Sequence, residues 1–167
     1  MNTLICSIFF FFMVVMNHVG FAQNPPDTIP VFSGFERYDN QDTMTYLDLP
    51  KAGQIVFYFY DPGCGHCQEM GKDIADLFDQ FSKDNTFYFI SMNDKSYVEG
   101  YINKYVPTLR GKKNVIFLKD FGVEFFEKFD PSNYPSTYIY NAETKGLIHF
   151  IEGKKNARNL LPFLKNQ

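Results

Sequence analysis

The chain has 167 residues, with Lys+Arg 16, Asp+Glu 19 and a formal net charge of −3. That length fits one domain with its own core. Charged residues at 21% and hydrophobics at 45% exclude a wholly disordered chain, and the weakly acidic balance lacks the basic footprint of a nucleic-acid binder.

Aromatics make up 19%, as 20 Phe and 11 Tyr with no Trp. The 3 Cys are too few for a disulfide-stapled miniprotein, and an odd count gives at least one of them a separate fate.

Residues 4–16, LICSIFFFFMVVM, form an unbroken apolar run. It is short of the ~20 residues a membrane-spanning helix needs and fits the ~7–15 of a signal-peptide core. Gly20 and Ala22 then supply the small-x-small pattern of a cleavage site. Residues 1–22 are therefore expected to be a signal peptide cut after Ala22. The n-region MNT carries no Lys or Arg, so a retained membrane anchor stands as the competing reading. Cleavage would remove Cys6 and leave Cys64 and Cys67, in an exported and hence oxidising setting. Residues 23–30, QNPPDTIP, read as a proline-rich linker, and 31–167 as the domain.

Within the domain, VFSGFERYD and TMTYLDL around Asn40-Gln41-Asp42 predict a β-hairpin, with Thr43, Thr45 and Leu47 alternating against apolar residues. Residues 55–60, IVFYFY, have the composition of a strand buried on both faces, ended by Asp61-Pro62-Gly63. Met70, Ile74, Leu77, Phe78 and Phe81 fall on one helical face, which predicts a helix over 65–81.

A strand is expected over 85–92, a helix over 95–105, a strand over 115–118 and a short helix over 121–129. Strands over 137–140 and 147–151 flank a turn, and a terminal helix is expected over 154–165, with Pro162 awkwardly inside it. Strands alternating with helices predict an α/β fold: a three-layer α/β/α sandwich on a mixed sheet, parallel at its centre, with an antiparallel pair at one edge and an N-terminal β-hairpin.

The chemistry lies at Cys64-Gly65-His66-Cys67, directly after the buried strand and at the opening of the helix. The first Cys then sits at a helix N-terminus, where unpaired N–H groups and the helix dipole favour an anion. A thiolate is that anion, and it is the attacking species in disulfide exchange. Cys67, one turn on and less exposed, suits the resolving role. His66 between them would stabilise the thiolate of Cys64 and make the pair a stronger oxidant; the competing reading is a solvated histidine of small effect.

Other readings of the pair are half of a zinc knuckle drawing on His66 and His149, a structural disulfide closing a very small loop, and a redox-dead binding module. A thiol peroxidase would need an Arg and a Thr/Pro loop at the cysteine; Arg37, Arg110 and Arg158 all lie far from it in sequence.

The stretch IVFYFYDPGCGHCQEM resembles the active-site segment of the thioredoxin superfamily, and its CGHC tetrad is the one found in protein disulfide isomerases. The hairpin from Phe35 to Leu49 and the segment NVIFLKDFGVEFFEKFDPSNYPSTYIYNAETKGLIHFIEG resemble exported TlpA-type, redoxin-like proteins. The resemblance implies a thioredoxin-like fold. It also implies that Pro135, in Tyr134-Pro135-Ser136-Thr137, is a cis-proline beside the cysteines. Tyr134 would then offer free backbone groups to a substrate strand.

Two departures stand out. The Trp usual before the first Cys is Gly63 here, which is expected to open the sulfur to a protein substrate. The buried Asp usual on the strand is Tyr58, with Asp61 nearer the motif but on the turn.

The function implied is an exported thiol–disulfide oxidoreductase, with periplasmic residence the leading expectation and a membrane-anchored or secreted form the alternatives. It would act on protein thiols and disulfides without a cofactor or resident metal, as reductase or general exchanger, with an upstream redox partner, a membrane-bound donor being one form of it. A non-enzymatic copper carrier or binding module is the alternative, since Cu(I) accepts two thiolates.

Overall fold

A computed structural model describes residues 25–153 and 156–165. Residues 1–24, which hold the expected signal peptide and Cys6, lie outside the described residues. Among the described residues no helix is long and apolar enough to cross a membrane.

Seven strands form one sheet in the order β2-β1-β5-β4-β3-β6-β7. They are β1 (Phe35–Arg37), β2 (Thr43–Met44), β3 (Gln54–Phe59), β4 (Thr86–Ser91), β5 (Val115–Lys119), β6 (Ser136–Asn141) and β7 (Leu147–Glu152). Strands β3, β4 and β5 run parallel, while β1, β2, β6 and β7 pair antiparallel. The antiparallel pairing expected at one edge therefore occurs at both.

The sheet separates two cores, and strand alternation assigns each side chain to one of them. On β3, Val56 and Tyr58, followed by Tyr60, face the core under α1 (Gly65–Leu77) and α2 (Lys95–Tyr105). Ile55, Phe57 and Phe59 face the other core, under α3 (Glu124–Phe129) and the N-terminal segment. Burial on both faces is why β3 reads as an unbroken apolar run. Each large apolar side chain buried this way contributes about 1.5–3 kcal/mol. The second core is built on stacked rings, with Phe125 and Phe129 at 4.1 Å between centroids and Phe59 against Phe125 at 4.9 Å.

Helix α1 buries Met70, Ile74 and Leu77, then tightens into a 3₁₀ turn at Phe78–Gln80 rather than continuing to Phe81. Helix α2 buries Val98, Tyr101 and Ile102 and ends at Tyr105, two residues before Pro107.

Four expectations are corrected. The second hairpin strand stops at Met44, because Thr45 and Asp48 cap each other around a 3₁₀ turn at Tyr46–Asp48. Helix α3 starts at Glu124 instead of 121: Val123 takes a left-handed φ of 57°, and the buried Asp120 carboxylate accepts the N–H groups of Gly122, Glu124 and Phe125. The terminal helix is reduced to a 3₁₀ turn at Ala157–Leu160 and a short α4 (Leu161–Leu164), with Pro162 in its first turn, where its missing N–H costs nothing. The expected linker is attached to the domain, since Thr28 bridges Gly146 and Ile29 is buried.

Candidate active site

Cys64 is the N-cap of α1 and is half-buried, while Cys67 is fully buried one turn on; both are free thiols. The turn before them is braced from within. Cys64 N–H donates to the Asp61 carbonyl (3.1 Å), and the Asp61 carboxylate accepts Gly63 N–H (2.6 Å) and the Asn93 amide (3.2 Å). Gln68 closes the far side, its backbone N–H donating to the Cys64 carbonyl and its side-chain amide to the Pro62 carbonyl (2.8 Å).

The two sulfurs are not equivalent. Burial pushes the Cys67 thiol far above its ordinary range; a hydrogen bond from the Asp61 backbone opposes this, and contact with Cys64 adds to it. Cys67 is thus a held, protonated thiol and Cys64 the reachable one. His66 lies exposed on the first turn beside them.

The Tyr134–Pro135 peptide is cis. Ser136 pairs with Phe59, so the register carries Pro135 to the end of β3, where the Cys64 turn departs. Tyr134 is partly exposed and stacks on Phe59 at 5.0 Å. Burial raises its phenol, with Asp61, Cys67, Asp120 and Cys64 acting in the same direction. Glu152 ties down this loop, accepting Ser132 N–H (2.8 Å) and the Ser136 hydroxyl (2.9 Å). The cleft beside Tyr134, lined by Phe59, Phe126 and Pro131, is only about 40 Å³. Such a shallow surface suits an extended chain better than an enclosed small molecule.

Besides Glu152, sequence reasoning missed three residues here. Tyr97 of α2 brings its hydroxyl so close to Gly63 that a Cβ at position 63 would overlap it. The space a side chain at 63 would take is therefore occupied from another element. Tyr101 reaches beneath Cys67, and Gly71 makes room for it, because a Cβ there would overlap the Tyr101 hydroxyl. A glycine inside a helix, where it costs about 1 kcal/mol against Ala, was the available signal for that approach; nothing in the sequence marked Tyr97.

Among the described residues, no three His, Cys, Asp or Glu side chains cluster as metal ligands. His149, drawn on in the zinc reading, stacks on Phe163 at 4.0 Å.

No family model matches the chain, and no curated protein matches it. Its structure superposes on MTB DsbF, in mixed oxidized and reduced forms, with a TM-score of 0.65 at 16% identity over 81% of this chain and 96% of that one. It is similar to a secreted Mycobacterium tuberculosis disulfide oxidoreductase homologous to E. coli DsbE (0.62, 16%, 77% and 91%). It is also similar to Arabidopsis thaliana ScoI with copper bound (0.60, 15%, 82% and 94%). The chain therefore has a thioredoxin-like α/β fold.

Proposed function

We propose that this protein is an exported thiol–disulfide oxidoreductase that exchanges disulfides with protein thiols through Cys64 and Cys67. The observation that carries the reading is the asymmetry of the pair: a reachable sulfur at a helix N-terminus above a buried, protonated one. The Cys64 thiolate attacks a disulfide of the substrate protein, forming a mixed disulfide and expelling one substrate thiolate, which takes up a proton. Cys67 then loses its proton to solvent and attacks the Cys64 sulfur. The mixed disulfide breaks, and the second substrate thiolate leaves. The substrate disulfide is reduced by two electrons as Cys64–Cys67 is oxidised.

His66 beside Cys64 favours the reduced form of the pair and so sets its potential. Pro135 and Tyr134 form the lip on which the substrate strand lies. The direction is reductase or general exchange, and a dithiol donor in the membrane would return the pair to its reduced state. Export is supported by the apolar leader in the sequence and by the secreted character of one structural neighbour.

Insulin reduction by dithiothreitol tests this. The wild type accelerates it and Cys64→Ala does not; equal rates with and without the protein would overturn the reading.

A second reading, a copper carrier, draws on the likeness to copper-bound ScoI and on the two free thiols. A wild type that is inactive on insulin but binds one Cu(I) through Cys64 and Cys67 would favour it.

A further inference from the structure

Tyr58 and Tyr101 come from different elements, β3 and α2, yet their hydroxyls converge on one acceptor. Both donate to the main-chain carbonyl of Cys67, at 2.8 and 3.3 Å. We propose that this pair of hydroxyls is a clamp that positions Cys67 for attack on the Cys64 sulfur. The inference deepens the exchange reading and rests on it.

Both residues are buried at this contact. Tyr58 is 0% exposed and Tyr101 2%. Burial raises both phenols, so both hydroxyls stay protonated and remain donors. Helix α1 gives up a side chain at Gly71, where any Cβ would overlap the Tyr101 hydroxyl. The carbonyl they hold belongs to the same residue whose sulfur must reach Cys64, in the first turn of α1. The clamp ties that turn to the sheet and to α2.

An intramolecular attack gains from such restriction, because fixing the attacking group raises its effective concentration. Loosening the clamp would spread the Cys67 sulfur over more positions. It would then both resolve mixed disulfides more slowly and close the intramolecular disulfide less readily.

The same cluster contains its own control. The Tyr60 ring lies 5.5 Å from Tyr58 and 4.6 Å from Tyr101, but its buried hydroxyl has no partner among the described residues. Removing that hydroxyl takes nothing from Cys67.

The test equilibrates the full-length protein with reduced and oxidised glutathione. One glutathione disulfide oxidises the dithiol to the Cys64–Cys67 disulfide and yields two glutathione thiols, so the equilibrium constant reads the effective concentration of Cys67 at Cys64. Tyr58→Phe and Tyr101→Phe are each expected to lower that constant by about two- to tenfold, the span of one net hydrogen bond. Both are also expected to lengthen the life of the glutathione mixed disulfide. Tyr60→Phe leaves both unchanged. Gly71→Ala, which displaces the Tyr101 hydroxyl by another route, shifts them as Tyr101→Phe does, and it carries the test if a tyrosine variant fails to fold.

Variants with wild-type equilibrium constants and resolution rates, even with lowered melting temperatures, would overturn the clamp alone. A wild type that forms no Cys64–Cys67 disulfide in any glutathione buffer would overturn the exchange reading, and the clamp with it.

Discussion

The Tyr97 hydroxyl of α2 lies against the backbone of Gly63, the residue just before Cys64, and occupies the space a side chain at 63 would need. A small residue in the loop and a large one in α2 are expected to form one wall beside Cys64. Truncating Tyr97 removes that wall without touching the cysteines. Tyr97→Ala is expected to speed alkylation of Cys64 by iodoacetamide several-fold at neutral pH, and Gly63→Ala to displace the Tyr97 ring with a similar result. An unchanged alkylation rate in both would show that Tyr97 does not screen the sulfur.

The cores hold an unusual number of buried phenols, which makes alkaline stability a sensitive readout. Burial raises Tyr38, Tyr58, Tyr60, Tyr88, Tyr101, Tyr138 and Tyr140, and it raises Cys67 as well. In the unfolded chain a thiol ionises near pH ~8.5 and a phenol near ~10. Above those values the unfolded state binds fewer protons than the native one, so stability falls as pH rises. Below about pH 8 these groups are protonated in both states and contribute no slope. Phenolate absorbance of the buried fraction is therefore expected to rise in one step together with loss of far-UV circular dichroism. A gradual titration near pH ~10 with secondary structure intact would contradict the burial.

Asp120 organises the start of α3 by accepting three backbone N–H groups from its buried carboxylate. Asp120→Ala leaves those donors unpaired and is expected to cost about 1–3 kcal/mol. Asp120→Asn, which keeps one acceptor oxygen, costs less. Because Phe125 of α3 packs behind Phe59 and Tyr134 stacks on that ring, the Ala variant is also expected to loosen the Tyr134 lip. Urea melts of the two variants, with equal midpoints the disconfirming result, check this.

His66 sits exposed between the cysteines, where it is expected to favour the reduced pair. The reduction potential is expected to lie above the ~−270 mV of thioredoxin, and His66→Pro to lower it. A wild-type potential at or below that value would assign His66 no part in setting it.

The central strands and the cysteine turn were legible because their signals are local. Ile55 to Tyr60 is apolar at every position, Pro62 and Gly63 end it, and Lys95 to Tyr105 carries its own helical stripe. The C-terminal region was not: Ala157, Leu160 and Leu164, on a 3₁₀ turn and a short helix, pack into the core with α1, a long-range contact that local periodicity does not register. The early end of β2 depends on a reciprocal Thr45–Asp48 cap that hydrophobic alternation does not register. At the site, Cys64, His66, Cys67 and Pro135 are contiguous motifs. Tyr97, Tyr101 and Glu152 reach it only through the fold, from positions whose local sequence reads as ordinary helix face or strand end.

In the proposed exchange, Cys64 captures a substrate sulfur and Cys67 releases it. Cys67→Ala keeps the first step and removes the second. Expressed with its leader and recovered after acid quenching, this variant is expected to carry protein partners in mixed disulfides that dithiothreitol releases and that are absent from the Cys64→Ala, Cys67→Ala double variant. Recovery of Cys67→Ala with Cys64 as a free, unlinked thiol, at the level seen in the wild type, would contradict the claim.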